Sequence, residues 1–231
     1  MMKAYPEIAS ERFEKANLWI KYTIFKIRKY LKDDILEVGA GWGSFTKSYM
    51  NNLNSITLTD MDDDNFNILN RNFVNEKKIK VLKSPTKDIN QKFNSIIYLN
   101  VLEHIEKDKL EIETALEKLN NVGYLVILVP AHQKMYSELD KAVGHFKRYD
   151  IDFFKTNHFK NSKIVKLQFL DTLGYTLYQL NKIFFKNEIY PSNFKIFVWD
   201  KIFTPFTIII DYFTRYKFGK NILCVYQKID Q

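Results

Sequence analysis

The chain has 231 residues, of which 46% are hydrophobic and 27% are charged. This length allows one sizeable domain with its own core, and the composition excludes an intrinsically disordered protein. The formal net charge of +8 predicts either a functional basic face or a lysine-rich solvated surface, and the scattering of the lysines along the chain favours the solvated surface.

Cysteine content and the N-terminal sequence bear on the cellular compartment. Cys224 is the single cysteine, so the chain cannot form an internal disulfide. No cysteine–histidine cluster has the spacing of a zinc or iron–sulfur site, and we therefore predict no metal. Charged residues recur through residues 1–30, which does not fit a signal peptide. These features predict a cytoplasmic protein.

Hydrophobic periodicity predicts that strands alternate with helices through the first part of the chain. Residues 7–31 have the spacing of an amphipathic helix. Short apolar runs predict strands over residues 34–38, 55–59, 78–82, 93–99 and 122–129, and helices are predicted over residues 44–50, 62–73 and 107–119. Strands and helices that alternate at this spacing form a parallel sheet with helices on both faces.

The last third of the chain is less regular. A helix is predicted over residues 151–157, and strands are predicted over residues 162–170 and 222–228. The aromatic segment between these two strands is too long for a hairpin loop. We predict a single α/β domain with a mostly parallel seven-stranded sheet whose last two strands form an antiparallel hairpin. Its parts are an N-terminal helical segment (1–31), a cofactor-binding core (32–171), an insertion or lid (172–221) and the last strand (222–228).

A glycine-rich turn joins the first predicted strand to the next helix, with the sequence EVGAGWG from Glu37 to Gly43. Gly39 and Gly41 allow a tight turn and the close approach of a ligand. Asp60 ends the second strand, where an acid can bind two ribose hydroxyls. The spacing differs from the G-x-G-x-x-G of dinucleotide enzymes, and the carboxylate of Glu37 would repel a pyrophosphate but suits an ammonium group. The alternatives are that Glu37 caps the turn and that Asp60 caps the following helix.

Residues 33–129 resemble the class I S-adenosylmethionine-dependent methyltransferases, which have a Rossmann-like fold. DILEVGAGWG resembles their first motif, TLTDMD their second, and YLNVLEHI the segment after the fourth strand. The resemblance implies that S-adenosyl-L-methionine is the cofactor and S-adenosyl-L-homocysteine the product. It also implies the cofactor-binding residues, which are Glu37, Gly39, Ala40 and Gly41 for the methionine part, Asp60 for the ribose, Met61 for the adenine ring, Asp88 or Thr86 for the adenine amino group, and Asn100 near the methionine end.

Candidate acceptor-binding residues follow the fifth strand, because ligands of such sheets lie beyond the carboxyl ends of the strands. Residues 130–149 contain two of the four histidines and resemble a stretch of bacterial enzymes that modify glycans or lipids. A hydroxyl acceptor needs a base within reach, so we predict His132 or His145 as the proton acceptor, with Arg148 or Tyr149 orienting the substrate. The alternatives are hydrogen-bonded loop histidines and a surface ion pair for Arg148.

Two further segments bear on the acceptor. The pair Glu103–His104 after the fourth strand favours an orienting role over proton abstraction. The apolar series within residues 172–221 is too short to cross a bilayer. It predicts either core packing or a dimer face, or an amphipathic lid at an anionic membrane surface or a lipid-linked substrate.

These features predict a methyltransferase that acts on a small molecule or a glycan, by O-methylation of a lipid-linked or nucleotide-linked sugar. A second hypothesis is a quinone-like lipophilic acceptor, and a third is a non-catalytic S-adenosylmethionine-binding protein. An RNA acceptor is disfavoured because Asn100–Glu103 replaces the NPPY-type tetrad of RNA methyltransferases. We therefore expect no stable nucleic-acid partner. The apolar series within residues 172–221 leads us to expect peripheral contact with a membrane.

Overall fold

The computed structural model describes residues 15–184 and 192–229. Its centre is a sheet of seven strands, β1 Ile35–Val38, β2 Ile56–Thr59, β3 Ile79–Leu82, β4 Phe93–Leu99, β5 Leu119–Pro130, β6 Ser162–Leu170 and β7 Asn221–Lys228. The strand order is β3-β2-β1-β4-β5-β7-β6. Strands β1 to β5 are parallel, and β7 is antiparallel to both β5 and β6. The predicted seven-stranded sheet is confirmed.

The helices lie on both faces of this sheet. They are α1 Asn17–Ile27, α2 Ser44–Tyr49, α3 Asp63–Phe73, α4 Asp108–Glu117, α5 Glu138–Ala142, α6 Ile151–Thr156, α7 Thr172–Phe184, α8 Asn193–Val198 and α9 Thr204–Phe213, with a π-helical turn, Trp199–Phe203, between α8 and α9. Short 3₁₀ turns cover Arg28–Tyr30, Met50–Asn52, Thr86–Asp88, Leu102–His104 and Gln133–Met135.

The side chains of the central strands point alternately to the two faces of the sheet, and this divides the hydrophobic core into two layers. In β5, Val126 and Leu128 pack in the layer that contains α1, α2 and α3 residues. Leu125 and Ile127 pack in the opposite layer with α4 and α6 residues. Successive side chains of a strand point to opposite faces, so a strand that is buried on both faces becomes a continuous apolar run. This explains the VGYLVILV pattern of the sequence.

Several element boundaries differ from the sequence prediction, most of them by one residue. The helix predicted over residues 107–119 ends at Glu117, and β5 begins at Leu119 rather than at residue 122 because Leu119 already pairs with Phe93 of β4. Helix α5 was not predicted. It is five residues long and begins with a capping box between Ser137 and Asp140.

The described residues between β6 and β7 are largely helical, and buried carboxylates attach them to the N-terminal helix. Asp200 accepts hydrogen bonds from the backbone N–H groups of Leu18 and Trp19, both at 2.9 Å. A residue distant in sequence therefore caps the N-terminus of α1. Asp211 accepts a hydrogen bond from the hydroxyl of Tyr22 at 2.8 Å and another from the backbone N–H of Thr172 at 2.8 Å.

The described part of the chain contains no helix with the length and apolar character needed to span a bilayer. Of the helix predicted over residues 7–31, residues 7–14 lie outside the described residues, and within the described part the α-helix is shorter than predicted, Asn17–Ile27 followed by the 3₁₀ turn.

Candidate cofactor and acceptor site

The glycine turn lies at the carboxyl ends of β1 and β2. Gly39 and Gly41 have φ angles of +65° and +57°, a region that favours glycine. A Cβ atom added at Gly39 would lie 2.7 Å from Cγ2 of Val101, so the residue after Asn100 packs directly on the turn. The backbone N–H of Ala40 donates to the carbonyl oxygen of Thr59 at 2.8 Å, which fixes the turn against the end of β2.

Glu37 is buried beneath this turn. Its Oε2 accepts hydrogen bonds from the hydroxyls of Thr46 at 2.6 Å and Tyr49 at 2.7 Å, both on α2. Burial raises the pKa of Glu37 to about 7, against the opposing effect of these two hydrogen bonds. The carboxylate therefore ties β1 to α2 rather than capping the turn, and Oε1 is the oxygen that remains for a ligand.

Asp60 holds the turn from the side of β2. Its Oδ2 accepts a hydrogen bond from the backbone N–H of Gly41 at 2.9 Å, and its Oδ1 accepts one from the N–H of Asp62 at 3.0 Å. Burial raises its pKa. The alternative that Asp60 caps the next helix is wrong, because Asp62 accepts the capping hydrogen bonds of α3, from the N–H groups of Asp64 and Asn65.

The remaining predicted cofactor residues lie on separate loops. Met61 is exposed beside Asp60. Asp88 is exposed, whereas its alternative Thr86 is buried, with its hydroxyl 3.0 Å from that of Tyr98. Asn100 is exposed with a φ angle of +59°, and its N–H donates to the carbonyl of Leu128 at 2.8 Å, which places it where β4 ends beside β5.

The hydrogen-bond acceptors at this edge fit S-adenosylmethionine. An α-ammonium group requires an anionic acceptor, and a ribose diol requires an acceptor with two available oxygens. Glu37 and Asp60 are both buried carboxylates at this edge, and each of their oxygens can accept more than one hydrogen bond. The glycines between them keep side chains out of the space above the turn.

His132 lies after β5 in an unusual backbone conformation. Its φ angle is +65°, and its N–H donates to the carbonyl of Tyr149 at 2.8 Å. Its Nε2 lies 2.9 Å from the carbonyl oxygen of Gly219, and its ring stacks on Phe169. Burial lowers the pKa of His132, which favours the neutral imidazole that a base requires.

His145 is held by a buried carboxylate. Its Nδ1 lies 2.8 Å from Oδ1 of Asp140, and its Nε2 lies 3.8 Å from Oε1 of Glu103. Its ring meets that of His104 edge to face, with 4.7 Å between the centroids. Sequence reasoning missed Asp140 as the partner of His145, although the separation of five residues across the capped turn was a usable signal.

Arg148 is buried, so the alternative of a surface ion pair is wrong. Its Nε donates to Asp140 at 2.8 Å, and its guanidinium lies 5.0 Å from the ring centroid of Tyr178. Burial alone would raise the pKa of Asp140, but hydrogen bonds with His145 and Arg148 hold it well below its usual range. Within the described residues, the Nη1 atom of Arg148 is buried without a hydrogen-bond partner.

Tyr149 and Glu103 are buried beside this cluster, and His104 is partly buried there. The hydroxyl of Tyr149 donates to Oδ2 of Asp108 at 2.8 Å, which makes it a packing element rather than a ligand-facing group. Burial raises the pKa of Glu103 to about 7. Burial and the neighbouring His145 lower the pKa of His104 to about 3. A neutral His104 suits the orienting role expected of the pair.

Helix α7 of the insertion covers the loop formed by residues 130–149. The hydroxyl of Tyr178 donates to the carbonyl of Met135 at 2.8 Å. The ring of Tyr175 lies 4.8 Å from that of His132. The predicted acceptor residues and the first helix of the insertion therefore form one continuous wall.

The sheet order and the glycine turn between two buried acids are those of a class I S-adenosylmethionine-dependent methyltransferase. The chain belongs to the mycolic acid cyclopropane synthetase family, whose family model matches residues 4–181. It is an enzyme that uses S-adenosylmethionine as its methyl donor. None of the curated proteins gives a significant match to the chain.

Solved structures with the same fold share little sequence with the chain. A chain of the complex between the Haloferax volcanii Trm112 activator and a methyltransferase is 11% identical, with a TM-score of 0.67, over 98% of this chain and 96% of that one. A methyltransferase of Bacillus halodurans is 13% identical, with a TM-score of 0.60, over 91% and 99%. The N-methyltransferase NodS of Bradyrhizobium japonicum, solved with S-adenosylhomocysteine, is 11% identical, with a TM-score of 0.56, over 99% and 94%. These likenesses show the fold.

Proposed function

We propose that this methyltransferase methylates a hydroxyl group of a lipid-linked glycan at a membrane surface. The observation that carries the proposal is the apolar outer face of α8 and α9. Phe194, Tyr212 and Phe213 are exposed to 74%, 70% and 77%. Contiguous apolar patches are rarely left in water on a soluble monomer unless they meet a partner, a ligand or a membrane.

The charges around this face support an anionic surface as its partner. Lys195 and Lys201 lie on the α8 side, and Arg215 and Lys217 follow α9. Aromatic side chains flanked by basic residues are typical of helices that lie in the interface of an anionic membrane. Because α7 of the same insertion packs on the acceptor loop, a lipid-linked substrate at that surface would lie close to the proposed acceptor wall.

The cofactor-binding residues are proposed from the same geometry. S-adenosylmethionine supplies a methyl group on a positively charged sulfur, the electrophile of the reaction. Glu37 accepts a hydrogen bond from the ammonium group, and the backbone of Gly39, Ala40 and Gly41 lies along the methionine part. Asp60 binds the ribose diol, and the remaining contacts are Met61 and Asp88 to the adenine and Asn100 to the methionine end.

On the acceptor side, the chain positions a base and an orienting cation. His132 would accept the proton of the hydroxyl through Nδ1, because its Nε2 bonds with Gly219. His145 would do so through Nε2, because its Nδ1 bonds with Asp140. Arg148 directs the otherwise unpaired Nη1 toward an anionic group such as a phosphate of the acceptor. The methyl transfer then depends on the alignment of the hydroxyl with the donor.

A quinone-like acceptor is the second candidate, because the same apolar face suits any lipophilic ring with a free hydroxyl. The two candidates differ in the product. The test is to incubate the enzyme and labelled S-adenosylmethionine with membrane and water-soluble extracts, and to identify the labelled product by mass spectrometry. A methyl ether on a lipid-extractable sugar supports the proposal, a methylated quinol supports the second candidate, and label in water-soluble products alone overturns both.

The membrane contact is tested separately with anionic phospholipid vesicles. We expect Phe194→Ser and Phe213→Ser to reduce co-sedimentation with the vesicles. Val74→Ser is the matched control, because Val74 is exposed to 76% at the end of α3, outside this face. Co-sedimentation that is equal in all three variants would refute the contact, and a change from dimer to monomer without any change in vesicle binding would make the face a dimer interface.

A further inference from the structure

The structure brings together three potential metal ligands that are distant in sequence. A carboxylate oxygen of Glu103, a ring nitrogen of His104 and a ring nitrogen of His145 lie within 4.8 Å of one another. The two segments are joined by a hydrogen bond from the N–H of Phe146 to the carbonyl of Glu103 at 2.8 Å. Donor atoms on one zinc ion lie about 2.0–2.2 Å from the metal, and therefore roughly 3–3.5 Å from one another. Small side-chain adjustments would close this trio around an ion.

Glu103 provides an independent indication of a missing partner. Its side chain is 1% exposed, and its Oε2 has no hydrogen-bond partner within residues 15–184 and 192–229. A buried acceptor without a partner costs about 1–3 kcal/mol, and more when it is charged. Neither Arg148, whose Nε is bonded to Asp140, nor His145, whose Nε2 lies 3.8 Å from Oε1 of Glu103, donates a hydrogen bond to this oxygen. A cation beside Glu103 would provide a partner for the orphaned oxygen.

The surroundings resemble the supporting shell of a metal site. Metal-bound histidines usually donate their second ring N–H to a carboxylate or a carbonyl, which fixes the ring and its tautomer. The Nδ1 of His145 bonds with Asp140 at 2.8 Å, so Nε2 is the nitrogen on the side of Glu103. Asp140 is itself held by the N–H and the hydroxyl of Ser137, at 2.9 Å and 2.8 Å. The imidazole of His104 is hydrogen-bonded with the backbone of Gly144.

We propose that Glu103, His104 and His145 bind one divalent transition-metal ion. Two imidazoles and one carboxylate suit zinc or ferrous iron rather than magnesium, which prefers oxygen ligands. Three protein ligands leave coordination positions open, which is the arrangement of a catalytic rather than a structural site. Two of the ligands, Glu103 and His104, follow β4 shortly after Asn100, and the third, His145, lies in the 130–149 loop.

The role of this ion rests on the proposed function. A hydroxyl oxygen of the acceptor could occupy an open coordination position, and a bound cation lowers the pKa of an oxygen ligand. His145 would then be a metal ligand, and His132 would remain as the base. The binding of the ion itself depends on neither assignment.

Isothermal titration of zinc into the chelator-treated 231-residue chain tests the proposal. We expect saturable binding of one ion per chain, and much weaker binding of magnesium. Glu103→Gln, which preserves the shape of the side chain, should weaken zinc binding at least tenfold, and His145→Ala should do the same. His158→Ala should bind like the wild type, because His158 is an exposed histidine outside the trio. Circular dichroism and the thermal transition confirm that each variant is folded.

The absorption spectrum of bound cobalt provides a second measurement, which does not depend on the heat of binding. One equivalent of Co²⁺ should give visible absorption bands of a nitrogen- and oxygen-ligated site, and zinc should displace them. The proposal would be overturned if the folded wild type showed no saturable zinc binding. It would also be overturned if Glu103→Gln and His145→Ala bound zinc with the affinity of the wild type. Because neither measurement uses a methyl acceptor, an error in the proposed acceptor would leave both results unchanged.

Discussion

The cofactor edge and the acceptor wall both lie beyond the carboxyl ends of parallel strands, but they are assembled over different distances along the chain. At the cofactor edge, Gly41 and Asp60 are bonded across 19 residues, and Glu37 and Thr46 across nine. At the acceptor wall, His132 is bonded to Gly219 across 87 residues, and Tyr178 to Met135 across 43. The cofactor edge is therefore encoded locally, whereas the acceptor wall exists only once the insertion has packed on the core.

The two regions also differ in their charged groups. The cofactor edge has two buried acids whose close partners are backbone N–H groups and hydroxyls. At the acceptor wall, His145 and Arg148 are bonded to Asp140, and His132 is bonded to the carbonyl of Gly219. This difference predicts that substitutions in the first region change cofactor affinity, and that substitutions in the second region change turnover.

The largest expected effect separates the two regions through the histidines. His132→Ala should lower turnover by roughly 10²–10⁴-fold if His132 is the base, with cofactor affinity nearly unchanged, because general-base catalysis contributes about that much. His145→Ala is compared in parallel, and the exposed His158 provides the matched control as His158→Ala. The measurements are the methyl-transfer rate and calorimetry with S-adenosylhomocysteine.

Two outcomes would break the comparison. Wild-type rates in both His132→Ala and His145→Ala would make the 130–149 loop structural and leave catalysis to alignment alone. Loss of cofactor binding in both variants would mean that the loop closes on the cofactor, so that the two regions are one site.

A smaller effect concerns the pH dependence of cofactor affinity. Burial raises the pKa of Glu37 to about 7 in the free protein, so the carboxyl is largely neutral below pH 7 and ionised above it. An ammonium group favours the ionised form, and affinity for S-adenosylmethionine should therefore rise with pH through this range, by at most about tenfold per pH unit. Calorimetry between pH 5.5 and 7.5 measures the slope, and Glu37→Gln should flatten it.

The opposite behaviour would exclude Glu37 from the ammonium contact. A wild-type affinity that is constant or falls with rising pH would contradict the assignment, as would the same slope in Glu37→Gln. The thermal transition at each pH shows whether the change belongs to binding or to folding.

Much of the sheet could be predicted from the sequence because β1, β2 and β4 are short apolar runs that end at Gly39, Asp60 and Asn100. The residues of the glycine turn could be proposed for the same reason, since Gly39, Gly41 and Asp60 are placed by two successive strand ends. The hydrogen bonds that Glu37 accepts from Thr46 and Tyr49 were not anticipated, because they depend on how α2 packs beneath the turn.

The acceptor wall could be predicted only in part. His132, His145 and Arg148 were selected by position. The bonds of His145 and Arg148 with Asp140, and the contacts of His132 and Arg148 with α7, are tertiary effects. Helix α5 is too short for periodicity to reveal. The sequence led us to predict no metal. The trio of Glu103, His104 and His145 was not anticipated because 41 residues separate the last two ligands in the sequence.

The central claim is that the glycine turn and Asp60 bind S-adenosylmethionine, and calorimetric titration of three variants tests it most directly. Gly41→Val should abolish binding, because a β-branched residue at a φ of +57° would both strain the turn and place atoms in the ligand's space. Asp60→Ala should weaken binding by about 1.5–3 kcal/mol, the range for hydrogen bonds to a charged group. Asp63→Ala, at an exposed aspartate of α3, should bind like the wild type. Unchanged affinity in both Gly41→Val and Asp60→Ala would contradict the account.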